Sequence, residues 1–221
     1  MKIKALFLLA PLLIFSIPLV ARPINGDEDF QVWLHQSYTH SLGKERHLSL
    51  LTEERWGGDA STLYFFYLQT HYAFQFKDWL EIAPGYRQAF PKDLARMRWR
   101  TVYEPMLIVN LKRSWGEWEF ALRHQIQYRI FDHRRTLWLY RIRPRVFLPF
   151  KLGRIGLKPY LSNEFFFLEH IGYSENRAVV GLKVPIRGPW SGDIEYMLRS
   201  LRPAGDWLEQ SVLRAALYLS F

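Results

Sequence analysis

The residues with the clearest chemical potential are His35 and Ser37, which stand two positions apart in the run His35-Gln36-Ser37. An imidazole can take the proton of a hydroxyl and so make it a nucleophile. If the run is a strand, both side chains lie on one face, because strand side chains alternate between faces. The base also needs a third, orienting group, and no acid can be assigned to that role from the sequence. The pair is a candidate for catalysis, and a chance pairing of two common residues is the competing interpretation.

Other reactive residue types are absent or scattered. The chain has no cysteine, which excludes thiolate chemistry and a disulfide framework. His71 and His124 are isolated, and a lone histidine on a strand indicates a structural role. Neither a metal-ligand spacing nor a glycine-rich phosphate loop occurs. We therefore expect no cofactor and no bound metal.

Charged residues form a second pattern, in which arginines and glutamates recur at alternate positions. The densest row is Arg141, Arg143 and Arg145. Unpaired buried charge is costly, so the pattern predicts either an interior filled by ion pairs or an anion-binding or anion-conducting interior led by this row. The predicted charge cluster is Arg98, Arg100, Glu104, Glu119, Arg123, Arg129, Arg141, Arg143, Arg145 and Glu164. The same parity carries Glu81, Arg87, Arg177, Asp193, Glu195 and Arg199.

The elements that must position these side chains are strands. Apolar and polar residues alternate with a period of two through most of the chain, which is typical of β-structure. No helical heptad, linker or break in composition divides the pattern. The predicted segments are roughly 31–42, 45–56, 62–76, 79–90, 97–113, 117–131, 136–150, 156–169, 176–187, 192–201 and 207–221.

The length of these segments favours a membrane barrel over a soluble sandwich. A tilted strand crosses a bilayer in about 9–11 residues, whereas soluble strands are usually about 5–6 residues long. Most of the nine tryptophans lie near segment ends, where barrels carry aromatic girdles. We therefore expect an all-β transmembrane antiparallel barrel of 10–12 strands. Twelve is favoured because single-chain bacterial barrels have even strand numbers, with residues 23–31 as the extra strand; ten would follow if one segment has been split.

Three prolines complicate this prediction, because a proline cannot donate to a strand ladder. They are Pro84, Pro105 and Pro144, and each lies inside a predicted segment. We interpret them as sites of bulges or bends.

The two ends of the chain predict export. Residues 1–21 combine Lys2 and Lys4 with an apolar run that ends at a small residue, Ala21, as in a secretory signal peptide; a membrane anchor is the alternative. At the other end the apolar residues Leu217, Leu219 and Phe221 alternate up to the terminus. This ending resembles the C-terminal signal strand of bacterial outer-membrane barrels.

A set of short motifs, in this order, extends the resemblance over nearly the whole mature chain. They are Phe30 to Trp33, Glu54-Arg55, Gly85-Tyr86-Arg87, Pro159-Tyr160 through Glu164-Phe165, Asn176-Arg177 with Gly181, and the terminal strand. The chain resembles a bacterial outer-membrane family known only as a domain of unknown function. The resemblance implies a β-barrel and supplies neither an activity nor catalytic residues.

These expectations define the mature protein as one barrel domain, residues 22–221, in the bacterial outer membrane. Its basic excess raises the question of nucleic acid, which export argues against. We expect outer-membrane lipids and lipopolysaccharide as partners, and the barrel-assembly machinery as the partner of the C-terminal strand. The predicted role is structural or transport-related, without catalysis. The alternative is a lipid-modifying hydrolase acting on lipid A or phospholipid, because His35 and Ser37 are similar in spacing to the His-x-Ser pair of lipid A deacylases.

Overall fold

A computed structural model describes residues 23–132, 135–202 and 205–221, and the signal peptide predicted for residues 1–21 lies outside these ranges. Within them, no helix is long and apolar enough to cross a membrane. The strands are β1 (Phe30–Ser41), β2 (Arg46–Gly57), β3 (Thr62–Lys77), β4 (Leu80–Asp93), β5 (Arg98–Trp99), β6 (Val102–Trp115), β7 (Trp118–Phe131), β8 (Leu137–Phe147), β9 (Lys158–Leu168), β10 (Gly172–Pro185), β11 (Trp190–Leu201) and β12 (Leu208–Ser220).

Eleven of these strands form a closed barrel, which confirms the predicted all-β barrel, although one pairing makes it mixed rather than wholly antiparallel. Each strand pairs in antiparallel fashion with its neighbours along the chain, with β4 pairing directly to β6. The ring closes where β1 pairs with β12, from Phe30 opposite Ser211 to Thr39 opposite Ser220. That pairing is parallel, because the first and last of an odd number of up-and-down strands run in the same direction.

The expectation of an even number of barrel strands, with twelve favoured, is therefore corrected to eleven. Residues 23–29, the expected extra strand, form turns and irregular structure. The one strand outside the barrel ring is instead the two-residue β5, which pairs only with Lys92 and Asp93 at the end of β4. The predicted segment 97–113 is thus interrupted before Val102, where the barrel strand β6 begins.

The prolines inside strands interrupt the ladder without bulging it. Around Pro84 the pairing of β4 with β3 skips from His71 opposite Gly85 to Phe74 opposite Ile82, with the register unchanged. On its other side Pro84 keeps its partner on β6, Leu107. Pro105 and Pro144 lie in equivalent gaps. The predicted bulges are therefore wrong at these positions, because each proline forgoes pairing on one side only.

Burial is inverted relative to a soluble protein. Among the described residues, 20 polar or charged side chains are buried against 16 apolar ones, while 38 large apolar side chains are exposed. On β7 the exposed residues include Phe120, Ile126 and Ile130, whereas Gln125 and Gln127 point inward and are buried. The strand period of two therefore sends charge inward and apolar surface outward.

The parallel closure places the start of β1 and the end of β12 at opposite ends of the barrel. Residues 23–29 lie at the end where β1 begins, which we name the N-rim. Phe221 lies at the other end, the C-rim, where its backbone nitrogen donates to the carbonyl of Thr39 at 3.0 Å. Of the predicted assembly residues, Leu217 faces outward at 39% exposure and Phe221 is 63% exposed just beyond β12; Leu219 shares their parity and is half-buried.

Candidate functional site: the charged barrel interior

The interior at the N-rim is capped by the segment that precedes β1. Asp29 has no exposed surface, and its carboxylate accepts four hydrogen bonds. The donors are the backbone nitrogens of Asn25 at 2.9 Å, Gly58 at 2.9 Å and Asp59 at 3.1 Å, and the Gln31 side-chain amide at 2.9 Å. A buried carboxylate is stabilised when donors satisfy its oxygens, so Asp29 fixes residues 23–29 across the end of the barrel.

Trp33 lies next to this cap, on the side toward the middle of the barrel. Its side chain is 1% exposed, and its indole nitrogen donates to the Gln31 side chain at 3.0 Å. The guanidinium of Arg55 lies 3.8 Å from the ring centroid and that of Arg177 lies 4.8 Å from it. Cations over a desolvated tryptophan face are attracted by its quadrupole, so the ring stabilises both guanidinium groups in the barrel interior.

Glu104 neutralises two further arginines in this part of the interior. Its carboxylate lies 3.2 Å from Arg87 and 2.8 Å from Arg129. Arg87 also donates twice to the Gln69 side-chain oxygen, at 3.0 and 2.7 Å, and Gln127 donates to Glu104 at 3.1 Å. The structure thus brings together Glu104 and Arg129, two members of the predicted cluster.

Glu164 on β9 likewise neutralises two arginines. Its carboxylate lies 2.6 Å from Arg141 and 3.7 Å from Arg177, the residue directly opposite it on β10. The guanidinium groups of these two arginines also lie over the Phe166 ring, at 4.7 and 4.3 Å from its centroid. Glu164 and Arg141 are both predicted residues, and burial of the charges is offset by pairing and ring contact.

A third cluster joins the wall to the closing strand. Arg214 on β12 lies between Glu53 at 3.2 Å and Glu195 at 2.9 Å. Glu195 also accepts a hydrogen bond from the Tyr160 hydroxyl, and Arg145 approaches it at 3.4 Å. Each acid therefore contacts a cation or a hydroxyl donor, as a desolvated charge requires.

Tyr160 reaches Glu195 by crossing the backbone of the neighbouring strand. The tyrosine is fully buried and lies against Gly181, where a Cβ would stand 2.3 Å from the ring. Only glycine admits this approach. The two residues belong to the motifs quoted above, and their contact is the physical reason for both residue types.

The candidate catalytic pair lies on this inner wall. His35 Nδ1 lies 3.4 Å from the carboxylate of Glu53, which stands directly opposite it on β2. Glu53 thus has the position of an orienting acid that the sequence did not reveal. Ser37 faces the same interior, and its hydroxyl makes no hydrogen bond to His35. His35 contacts the Glu53 carboxylate, and Glu53 also forms an ion pair with Arg214. The histidine therefore belongs to the ion-pair network.

The C-rim half of the interior is different, because it encloses a cavity of about 680 Å³. The cavity reaches from Trp33 and Arg177 in the middle of the barrel to Lys112 and Ser220, which are exposed at the C-rim. We call this part the open half. The part between the cavity and the N-rim, which contains Glu104, Gln127 and the Asp29 network, we call the sealed half.

The remaining predicted residues divide between the open half and the outside. Arg123 and Arg143 line the cavity and face each other across β7 and β8. Glu119 lies at the C-rim, where it forms an ion pair with Lys158. The prediction of a lumenal position is wrong for Arg98 and Arg100, because the chain leaves the barrel wall between β4 and β6. Arg98 is exposed on β5, and Arg100 pairs instead with Asp93.

Sequence reasoning missed several charged residues of the interior, among them Glu53, Arg55, Glu175 and Arg214. Glu53 and Arg55 occupy the inward parity of β2, and Arg214 faces away from the apolar row of β12. The period of two could have found all three once a face had been assigned. Glu175 shares the inward parity of Arg177, and it was missed because the predicted segment 176–187 began one residue too late.

Among residues 23–132, 135–202 and 205–221, no group of three or more histidine, aspartate or glutamate side chains could hold a metal ion. The interior is instead organised around arginines. It can hold an anion or exclude one, depending on which guanidinium groups are already neutralised.

The model of a family described as a protein of unknown function (DUF2490) matches residues 30–210, which extend from the start of β1 into β12. No curated protein matches the chain.

Proposed function

The chain belongs to the DUF2490 family of proteins of unknown function, and we propose that it is an integral barrel protein of the bacterial outer membrane whose interior is closed to through-flow. The inverted burial carries this proposal. Large apolar side chains on every long strand face outward, while arginine and glutamate fill the interior. Such a surface would aggregate in water, whereas a bilayer's hydrocarbon layer stabilises it.

The tryptophans support the same environment. Those with the largest exposure are Trp115 at 81% and Trp79 at 55%, both at the C-rim. Trp99, Trp138 and Trp207, between 41% and 48% exposed, lie at or beside strand ends at the N-rim. Indole rings at both ends of a barrel match the two head-group layers of a membrane.

The interior favours a structural role over an open pore. Toward the N-rim, Trp33, the two arginines against its ring and the Asp29 cap occupy the described interior. An eleven-stranded barrel is also much narrower than porins of about 16–18 strands. Outside the barrel, we propose contacts with outer-membrane lipids and lipopolysaccharide. The exposed apolar row that ends at Phe221 supports recognition by the barrel-assembly machinery.

The test is fractionation combined with a conductance measurement. The protein should be found in outer-membrane fractions, and its folded form should migrate differently before and after heating on a denaturing gel. In planar bilayers the purified protein should give little or no conductance. Recovery in the soluble periplasmic fraction would exclude the membrane assignment, and a large stable conductance would exclude the closed interior.

A further inference from the structure

The wall of the open half carries more positive than negative charge. Eleven arginine and lysine residues line the cavity, against six aspartate and glutamate residues. The excess of five positive charges faces a space of about 680 Å³, within the usual range of small-ligand sites. A polar, accessible cavity with a net charge attracts counterions.

The excess is concentrated on two arginines. Arg123 and Arg143 are directly opposite each other on β7 and β8. Arg123 donates to the Asn110 side-chain oxygen at 3.0 Å. Among the described residues, neither guanidinium forms an ion pair, because the nearby carboxylates of Glu164 and Glu195 pair with other arginines. Like charges on directly opposed residues are destabilising, so this pair lacks the compensation that Arg87, Arg141 and Arg177 receive from carboxylates at the inner end of the cavity.

Glu164 shows why Arg143 remains unpaired. By register Arg143 lies opposite Glu164, within the gap that Pro144 leaves in the ladder. The Glu164 carboxylate turns away to Arg141 and Arg177. The donors of Arg143 are therefore left for the cavity.

We propose that the open half binds a soluble phosphate-bearing ligand, with the guanidinium groups of Arg123 and Arg143 holding one phosphoryl group. Arginine presents a planar fork of donors that matches phosphate oxygens. A phosphoryl dianion can neutralise two opposed arginines at once, whereas one carboxylate carries a single charge. Lys112 and Lys183 also line the cavity and add positive charge around its path of entry.

The ligand enters and leaves through the C-rim. The barrel wall separates the cavity from its surroundings at the sides, and between the cavity and the N-rim the side chains of Asp29, Gln31 and Gln127 have no exposed surface. The cavity is thus blind-ended, so the structure supports binding rather than conduction.

Isothermal titration of the purified, folded mature protein in detergent micelles with inorganic pyrophosphate tests this inference. We expect saturable binding that is tighter than binding of succinate. Arg123→Gln and Arg143→Gln should each weaken it about tenfold or more, because each removes a charge-assisted hydrogen bond. The matched control is Arg98→Gln, which removes the same charge from exposed β5 and should leave the affinity unchanged.

Absence of saturable pyrophosphate binding overturns the inference, as does succinate binding of equal affinity. An equal loss in Arg98→Gln and Arg143→Gln would show only a general charge effect and overturns the assigned site. The preference for pyrophosphate over succinate is measured on the unmodified protein, so it stands even if a variant fails to fold. Failure to bind in a protein that still fractionates with the outer membrane would leave the proposed membrane location intact.

Discussion

Toward the N-rim, Arg87, Arg141 and Arg177 at the inner end of the cavity each lie against a carboxylate, whereas Arg123 and Arg143, nearer the C-rim, form no ion pair with a described carboxylate. The two regions are built from the same strands, and the arginines come from the same parity. The difference is access to water, since Lys112 and Ser220 are exposed at the C-rim while Asp29 and Gln31 are fully buried near the N-rim. Where solvent is excluded, each positive charge needs a fixed partner; where it enters, the partner can be exchangeable.

The largest expected effect comes from comparing the removal of a buried acid at the inner end of the cavity with the removal of an exposed acid at the C-rim. Glu164→Ala leaves Arg141 and Arg177 without their carboxylate and should lower the free energy of unfolding by about 3–5 kcal/mol. Glu119→Ala breaks an ion pair at the C-rim and should cost at most about 1 kcal/mol. Urea-induced unfolding of both variants in detergent micelles measures the difference. Equal losses would contradict the difference between the inner end of the cavity and the C-rim.

A second comparison sets the outer wall against the open half. Ile126→Arg places a charge on the apolar exterior and should cost about 2–4 kcal/mol in a bilayer. Ala121→Arg places the same side chain toward the cavity, directly opposite Lys112 and Arg145. The like charges should cost at most about 1 kcal/mol, less than the cost of a charge on the apolar face. Unfolding in lipid vesicles is the measurement, because the first cost depends on the bilayer. If Ala121→Arg were the more damaging variant, the inward and outward faces of β7 would be reversed.

The smallest perturbation is a pair of single cysteines in a chain that has none. Ser220→Cys stands at the exposed mouth of the cavity, and Ala89→Cys replaces a residue that is 1% exposed in the sealed half. A water-soluble maleimide should label Ser220→Cys about as fast as an unfolded chain. Ala89→Cys should react only after unfolding, because reaction requires exposure of the thiol. Rapid labelling at both positions would show that water reaches the N-rim half.

The sequence allowed the barrel wall to be predicted more fully than its contents. Alternation on β7 and β12 identifies the inward and outward faces without any tertiary information, because strand side chains have a fixed period. The parallel closure could not be predicted this way, since local patterns carry no signal for a pairing between residues 30–39 and 211–220.

The candidate site was predictable only in part. Residues of alternating charge, such as Arg141 and Glu164, reveal an ion-paired interior. Which arginines remain unpaired depends on how side chains turn within a layer, as when Glu164 leaves Arg143 for its neighbours. The misplacement of Arg98 arose because its parity continues that of Glu104 across a break at residues 100–101, where the pattern itself shows no interruption.

The parallel seam between β1 and β12 also constrains the order in which the barrel can fold. Every other pairing joins two barrel strands that follow each other along the chain. Each of these pairings can form as soon as its two strands have emerged. The closing seam joins residues about 180 positions apart, for which loop closure alone costs about 4–5 kcal/mol of chain entropy. Until the last strand arrives, the sheet has two unpaired edges, which are templates for aggregation. A chain of this design therefore needs its edges guarded during assembly until the final ladder forms.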